Sequence, residues 1–256
     1  TLTITSNFSY GGGAYQFQLH DVLPASTQSM ALGDAPATCG VLTLKLEWVF
    51  SHDAGEMVQV ELIDRFGRLD ILINNIERGG WPVVHGPYTP QQWDLEIETT
   101  LRAKRWVFEA ALPHLKASGD AVVINFSSIA GIVGRSGPAR LIFNDGYAAA
   151  NRGVSLLTET WARIGAPEVR VNEVMLGFFE TRHAEKTRGW GLLTAKQKKA
   201  VRDHTLTGRT GKIEDAVKAV IYIIKDAPFM TGAVLRLDGG YVLGGKETGE
   251  LPKGVL

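Results

Sequence analysis

The chain has 256 residues, 45% of them hydrophobic and 21% charged, with 27 basic residues balanced by 27 acidic ones. That length fits one domain with a large buried core, the composition is that of an ordinary globular protein rather than a disordered one, and the balanced charge gives no electrostatic reason to bind nucleic acid or an anionic membrane. The single cysteine, Cys39, excludes an intrachain disulfide and a cysteine-built metal cluster, and it fits a reducing compartment.

Thr1 to Thr5 shows no basic segment or signal-length apolar run, and the longest apolar stretches, such as Ala219 to Ile224, fall far short of the ~18 residues that span a bilayer. A cytoplasmic protein without a membrane span is the expectation. Thr1 to Thr5 alternates β-branched and apolar residues, predicting a strand that enters the glycine-rich turn at Gly11, Gly12 and Gly13. His20 to Gly40 carries two prolines and no clean period, predicting irregular structure with a weak strand around Ser29 to Leu32. Val41 to Lys45 reads as a strand, Gly55 to Phe66 has near-helical apolar spacing, and Leu69 to Asn74 is a compact apolar strand.

Thr89 and Pro90 form a helix start. From Gln91 to Ser118 the pattern is helical, with Trp93, Ile97, Leu101, Trp106, Phe108, Leu112 and Leu115 on faces expected to pack inward. Ala121 to Phe126 predicts a strand buried on both faces, as in a parallel sheet. A helix over Tyr147 to Ile164, a strand over Val169 to Met175, a partly helical lid over residues 177–208, an amphipathic helix over Ile213 to Lys225 and a closing strand over Gly232 to Leu237 follow, before a polar tail at 246–256. Strand and helix alternate, which argues for a single three-layer α/β/α domain over residues 1–256, built on a doubly wound, Rossmann-like parallel sheet with an irregular second βα unit. The six histidines show no metal-ligand spacing, so no metal site is expected.

Several segments come in one order: Phe66-Gly-Arg-Leu-Asp-Ile-Leu-Ile-Asn-Asn75, Ala110-Ala-Leu-Pro113, Val122-Val-Ile-Asn-Phe-Ser-Ser128, Tyr147, Val169-Arg-Val-Asn172 and Thr231-Gly-Ala-Val-Leu-Arg-Leu-Asp-Gly-Gly240. Together, from about Phe66 to Gly245, they resemble the short-chain dehydrogenase/reductase superfamily. The resemblance implies a small-molecule substrate whose oxygen is held by Ser128 and protonated or deprotonated by Tyr147, while an NAD or NADP nicotinamide exchanges a hydride with the carbon. It also implies a homodimer or homotetramer assembled through the helices at Gln91 to Ser118 and Tyr147 to Ile164. A purely local reading has Ser127 and Ser128 capping a turn and Tyr147 packed in the core.

Asn151 stands where the family has a lysine. A free tyrosine titrates at ~10, too high for efficient proton transfer at neutral pH unless a positive charge stabilises the phenolate, and an amide supplies none. Thr100 stands where a relay asparagine is expected, and the loop from Arg135 to Gly146 is longer than the family usually shows. On the cofactor side the resemblance points to Thr5, Tyr10, Gly12, Asn74, Gly177 and Thr181. Ser6 and Tyr10 take the first two glycine positions of the dinucleotide turn if Gly12 is the third, and Ile76-Glu77 replaces a small Ala-Gly pair. Phe178, Phe179, Trp81 and Trp190 either line an apolar pocket under the lid or pack lid against body. The spacing of Thr5, Tyr10 and Gly12 also resembles halohydrin dehalogenases, in which an aromatic residue blocks the dinucleotide space. Three readings therefore stand at the sequence level: an oxidoreductase of a carbonyl/alcohol pair, a cofactor-independent dehalogenase-like enzyme, and a catalytically silent binding protein of the same fold.

Overall fold

The computed structural model describes residues 6–8, 16–19, 46–47, 68–75, 89–134, 136–137, 144–180, 193–244 and 254. Its centre is a parallel sheet of four strands in sequence order: β4 (Ile71–Asn74), β5 (Ala121–Ser128), β6 (Val169–Leu176) and β7 (Val234–Leu237). Three earlier strands, β1 (Ser6–Phe8), β2 (Gln16–Leu19) and β3 (Leu46–Glu47), pair antiparallel in a separate sheet and add nothing to the parallel one. The link from Phe8 to Gln16 is shorter than the roughly dozen residues a parallel crossover needs, whereas antiparallel pairing needs only a short connection. The expected strands over Thr1 to Thr5, Ser29 to Leu32 and Val41 to Lys45, and the helix over Gly55 to Phe66, lie outside the described residues, as does the tail apart from Gly254.

Helix α1 (Pro90–Glu96) opens with a reciprocal cap: Thr89 Oγ1 accepts from the Gln92 amide, and Gln92 Oε1 accepts from the Thr89 amide. A π-helical stretch, Ile97–Arg102, joins it to α2 (Ala103–Ser118). The wider turn shifts the phase of the helix, so Trp93, expected to face inward, is instead 37% exposed, while Phe108 and Leu115 beyond the shift are buried. The remaining helices are α3 (Ala130–Val133), α4 (Asp145–Gly165), α5 (Ala195–His204) and α6 (Ile213–Lys225).

Helices α2 and α4 cover one face of the sheet and α6 the other, giving the three layers. On the first face Phe108 of α2 stacks on Trp161 of α4, with ring centroids 4.4 Å apart, over Val123 and Val171. On the second face Ile223, Val220 and Ile224 of α6 pack on Val122, Ile124 and Val174. Both faces of β5 are thus buried in protein, which is why its sequence reads as a continuous apolar run rather than an alternating one.

One guanidinium fastens α6 to the sheet. Arg170 on β6 donates to the carbonyl oxygens of Ile223 (3.2 Å), Ile224 (3.4 Å), Ala227 (2.9 Å) and Met230 (3.4 Å). Ile223 and Ile224 belong to the last turn of α6, whose carbonyls have no helical partner. Two residues along, Asn172 holds the same connection, donating to Met230 O at 2.8 Å and accepting from the Ala233 amide at 3.1 Å. Arg170→Met is therefore expected to destabilise the fold by roughly 2–4 kcal/mol. Arg170→Lys should recover only part of that, because a single ammonium does not reproduce the spread of the guanidinium fork; urea unfolding of both variants checks the order.

Candidate active site

At the carboxyl end of the sheet β5 finishes at Ser128, in register with Leu176 of β6, and the Ile129 amide donates to the Leu176 carbonyl at 2.9 Å. Ser128 Oγ accepts from the Ala130 amide at 3.1 Å, so the serine does cap the turn that starts α3. Gly131 then lies directly against α4: a Cβ there would come within 2.8 Å of the Arg152 amide nitrogen and 3.0 Å of the Asn151 carbonyl carbon. Backbone-to-backbone contact of this kind brings the serine turn beside the first two turns of α4.

Helix α4 starts two residues earlier than its apolar pattern predicts, at Asp145, because Asn144 Oδ1 accepts from the Gly146 amide at 3.1 Å and caps it. The long connection before the helix is shortened to match. Tyr147 lies in the first turn, half-buried against a cluster that includes Ile129, Ala130, Met175, Phe178 and Tyr241. Asn151, one turn on and only 2% exposed, donates Nδ2 to the Tyr147 carbonyl at 2.9 Å. Its amide serves the helix backbone. Thr100, the other altered position, is buried in the π-helical stretch and gives its proton to Glu96 Oε1 at 2.6 Å.

Ser128, Tyr147, Asn151 and Gly177 are thus gathered at the carboxyl edge formed by β5, β6 and the start of α4. Gly177 follows β6, donates its amide to Leu237 O at 2.8 Å, and has no room for a side chain, since a Cβ would sit 2.7 Å from Asp238 Cα. Asn74 closes β4 one strand away and donates Nδ2 to the Lys104 carbonyl at 3.0 Å, holding α2 onto the sheet. Thr5, Tyr10, Gly12 and Thr181 lie outside the described residues, as do Ile76, Glu77, Trp81 and Trp190. Phe178 is tilted on Tyr241 with centroids 5.0 Å apart, and Phe179 lies over Gly211, so these two aromatics pack the segment after β6 onto the body. Among the described residues no group of three or more His, Cys, Asp or Glu side chains could hold a metal ion, and no helix is long and apolar enough to cross a membrane.

Beneath this edge lies a buried polar layer that the apolar reading of the strands misses. The Ser127 hydroxyl donates to Glu173 Oε1, and Ser155 donates to the same oxygen at 3.1 Å. Asn125 donates to Thr158 Oγ1 at 2.9 Å. Glu173 has no exposed surface, and burial pushes its carboxyl above the usual 4.5, against the opposing pull of the two serine hydroxyls and Arg152. Sequence reasoning passed over Glu173, Glu96, Lys104 and Gly131. Glu96, Thr100 and Lys104 recur every fourth residue, a polar stripe that marks one helix face.

Comparison with known proteins bears on the family and the fold. Residues 49–242 match the family model described as Enoyl-(Acyl carrier protein) reductase. The chain is similar to the 3-oxoacyl-acyl-carrier-protein reductase of Thermotoga maritima, 30% identical over 199 residues that cover 76% of this chain and 75% of that protein. It is likewise similar to the 1,6-dihydroxycyclohexa-2,4-diene-1-carboxylate dehydrogenase of Pseudomonas putida, 31% identical over 196 residues, covering 72% and 69%. Among solved structures it resembles a gluconate 5-dehydrogenase from Burkholderia cenocepacia J2315 in complex with NADP and tartrate, with a TM-score of 0.61, 26% identity, and coverage of 72% and 69%. A Burkholderia xenovorans structure described as a short-chain dehydrogenase/reductase shares the fold at a TM-score of 0.58 and 23% identity, covering 72% and 69%.

Two outcomes follow from the packing of this edge. Gly131→Ala forces α3 away from α4 and is expected to cost about 1–3 kcal/mol, read as a lower midpoint in urea unfolding. Because burial raises the Glu173 carboxyl above its usual 4.5, the contribution of this group to stability falls as pH rises from there through its folded value. Glu173→Gln removes that fall, and melting midpoints of the two proteins across a pH series check it.

Proposed function

The chain belongs to the short-chain dehydrogenase/reductase family, and on that footing we propose that it interconverts a carbonyl and an alcohol on a small molecule with NAD or NADP. The observation that supports the reading is the packing of Tyr147 on Ile129 and Ala130, the two residues that follow Ser128, at the carboxyl edge of the sheet, where ligands bind in open α/β folds. The relatives named above act as reductases and dehydrogenases.

Each residue then has a chemical task. Ser128 Oγ already accepts from the Ala130 amide, which leaves its own proton to donate to the substrate oxygen. Tyr147 hands a proton to that oxygen in reduction and takes it back in oxidation. The nicotinamide, when bound, supplies or takes up the hydride at the carbon. Gly177 and Thr181 after β6, with Thr5, Tyr10 and Gly12 from the N-terminal part of the sequence, are the residues that would hold the dinucleotide, and Asn74 steadies the strand beside it. Asn151 acts on Tyr147 through the backbone, holding the carbonyl of the first turn.

Of the residues named for the dinucleotide, Asn74 and Gly177 lie at the carboxyl ends of β4 and β6. Self-association belongs to the same reading, since α4 leaves Leu156 and Ile164 exposed at 65% and 47%, and light scattering of the purified protein measures it.

NADP(H) and NAD(H) titrations followed by fluorescence of the six tryptophans are expected to show saturable binding of at least one nucleotide. Absence of binding at millimolar concentration removes the reading. With 3-oxoacyl thioesters and hydroxylated cyclic carboxylates as a substrate panel, Tyr147→Phe should lower kcat by roughly 10²–10⁴-fold while nucleotide affinity is retained.

A further inference from the structure

A row of side chains crosses the sheet beneath this edge. Asn74, Asn125 and Glu173 are register partners on β4, β5 and β6, and they are 1%, 0% and 0% exposed. Asn74 Oδ1, Asn125 Oδ1 and Glu173 Oε2 each lack a hydrogen-bond donor among the described residues. Their companion atoms are engaged: Asn74 Nδ2 with the Lys104 carbonyl, Asn125 Nδ2 with Thr158, and Glu173 Oε1 with Ser127 and Ser155.

An ionised carboxylate at this place would hold its charge out of water with one oxygen bare, an arrangement that proteins avoid by pairing the charge or neutralising it. Glu173 forms no ion pair among the described residues. The charged groups acting on it are Arg152 and Glu159, opposite in sign and both exposed on α4. From the neighbouring strands it is faced by Asn125 and Val234 in register and by Ser127, none of them charged. The other buried charges of the layer, Glu96 and Lys104, belong to the helical run that Asn74 holds over β4. A proton on Oε2 resolves the difficulty, because it turns that oxygen into a donor beside an acceptor, Asn125 Oδ1, that lacks one. Strands in register lie about 4.8 Å apart, within reach of side chains of this length.

We propose that Glu173 is a neutral carboxylic acid that positions the Ser128–Tyr147 pair. Its Oε1 ties Ser127, the residue before Ser128, to Ser155, about two helical turns beyond Tyr147, while its Oε2–H ties the assembly to Asn125. Strand and helix are thereby locked at the separation on which the reacting groups depend. The positioning role rests on the reading of Ser128 and Tyr147 as the reacting pair; the protonation state does not. The competing arrangement has the Asn125 amide turned over, donating Nδ2 to an ionised Glu173 and accepting the Thr158 proton.

Infrared difference spectra of full-length protein, wild type minus Glu173→Gln at neutral pH, separate the two. A protonated-carboxyl C=O band in the wild type, shifting in deuterium oxide and absent from the variant, is expected; its absence overturns the neutral acid. Steady-state kinetics with the panel substrate and dinucleotide test the positioning. Glu173→Gln, which keeps one acceptor and one donor, should stay within ~3-fold of wild type, whereas Glu173→Ala should lower kcat by roughly 100-fold with KM for the dinucleotide little changed. Ser155→Ala cuts only the tie to α4 and should lower kcat by about 10-fold with the infrared band retained, which keeps the test open if the alanine variant at 173 fails to fold. Equal losses in Gln and Ala, or full activity in both Ala variants, overturn the positioning role. A wild-type protein that binds neither nucleotide and turns over nothing refutes the reading of the site and with it any positioning of a reaction, while the infrared band still decides the protonation state.

Discussion

A carboxyl group with no exposed surface, held at the centre of a parallel sheet by two hydroxyls, is the constraint around which the carboxyl edge of the sheet is built. Buried polar atoms need fixed partners, and Glu173 on β6 ties to β5 through Ser127 and to α4 through Ser155. The inner face of α4 shows the consequence along its length. Trp161 and Ala162 near its end meet the apolar core, then Thr158 and Ser155 meet the polar layer, Asn151 turns back to its own helix backbone, and Tyr147 reaches the edge. Strands β5 and β6 grade the same way, from Val123 and Val171 to Asn125, Ser127 and Glu173. The apolar half of the sheet thus gives way to a polar half toward its carboxyl edge.

Close backbone approach completes the edge. Gly131 sets α3 on α4, and Gly177 sets the end of β6 on Asp238; in each case the missing Cβ is used by another piece of backbone. The serine turn, the tyrosine turn and the end of β6 therefore have little freedom to move apart. Asn151 braces the helix, since its amide reaches the Tyr147 carbonyl one turn back along α4.

Much of the body is legible in the chain. The helix over Ile213–Lys225 and the strands ending at Asn74 and Leu237 fall where their patterns place them, because each buries a face or faces long enough to impose a period. Failures come where a local pattern is outvoted. Trp93 is carried outward by a π-helical phase shift that no apolar period reveals, α4 begins at a cap two residues ahead of its apolar stripe, and the short strands before residue 48 pair with one another rather than with the parallel sheet.

By itself the sequence determined the layered α/β architecture and the family, because periodicity and motif order are properties of neighbours along the chain. Only the tertiary structure decided what Asn151, Thr100 and Glu173 do. Their partners, the Tyr147 carbonyl, the Glu96 carboxyl and the hydroxyls of Ser127 and Ser155, are set by which atoms helix and strand bring within hydrogen-bonding distance once water is gone. A glutamate in an apolar strand looks like an exception when read along the chain. Folded against α4, it becomes the joint between the two elements that carry Ser128 and Tyr147.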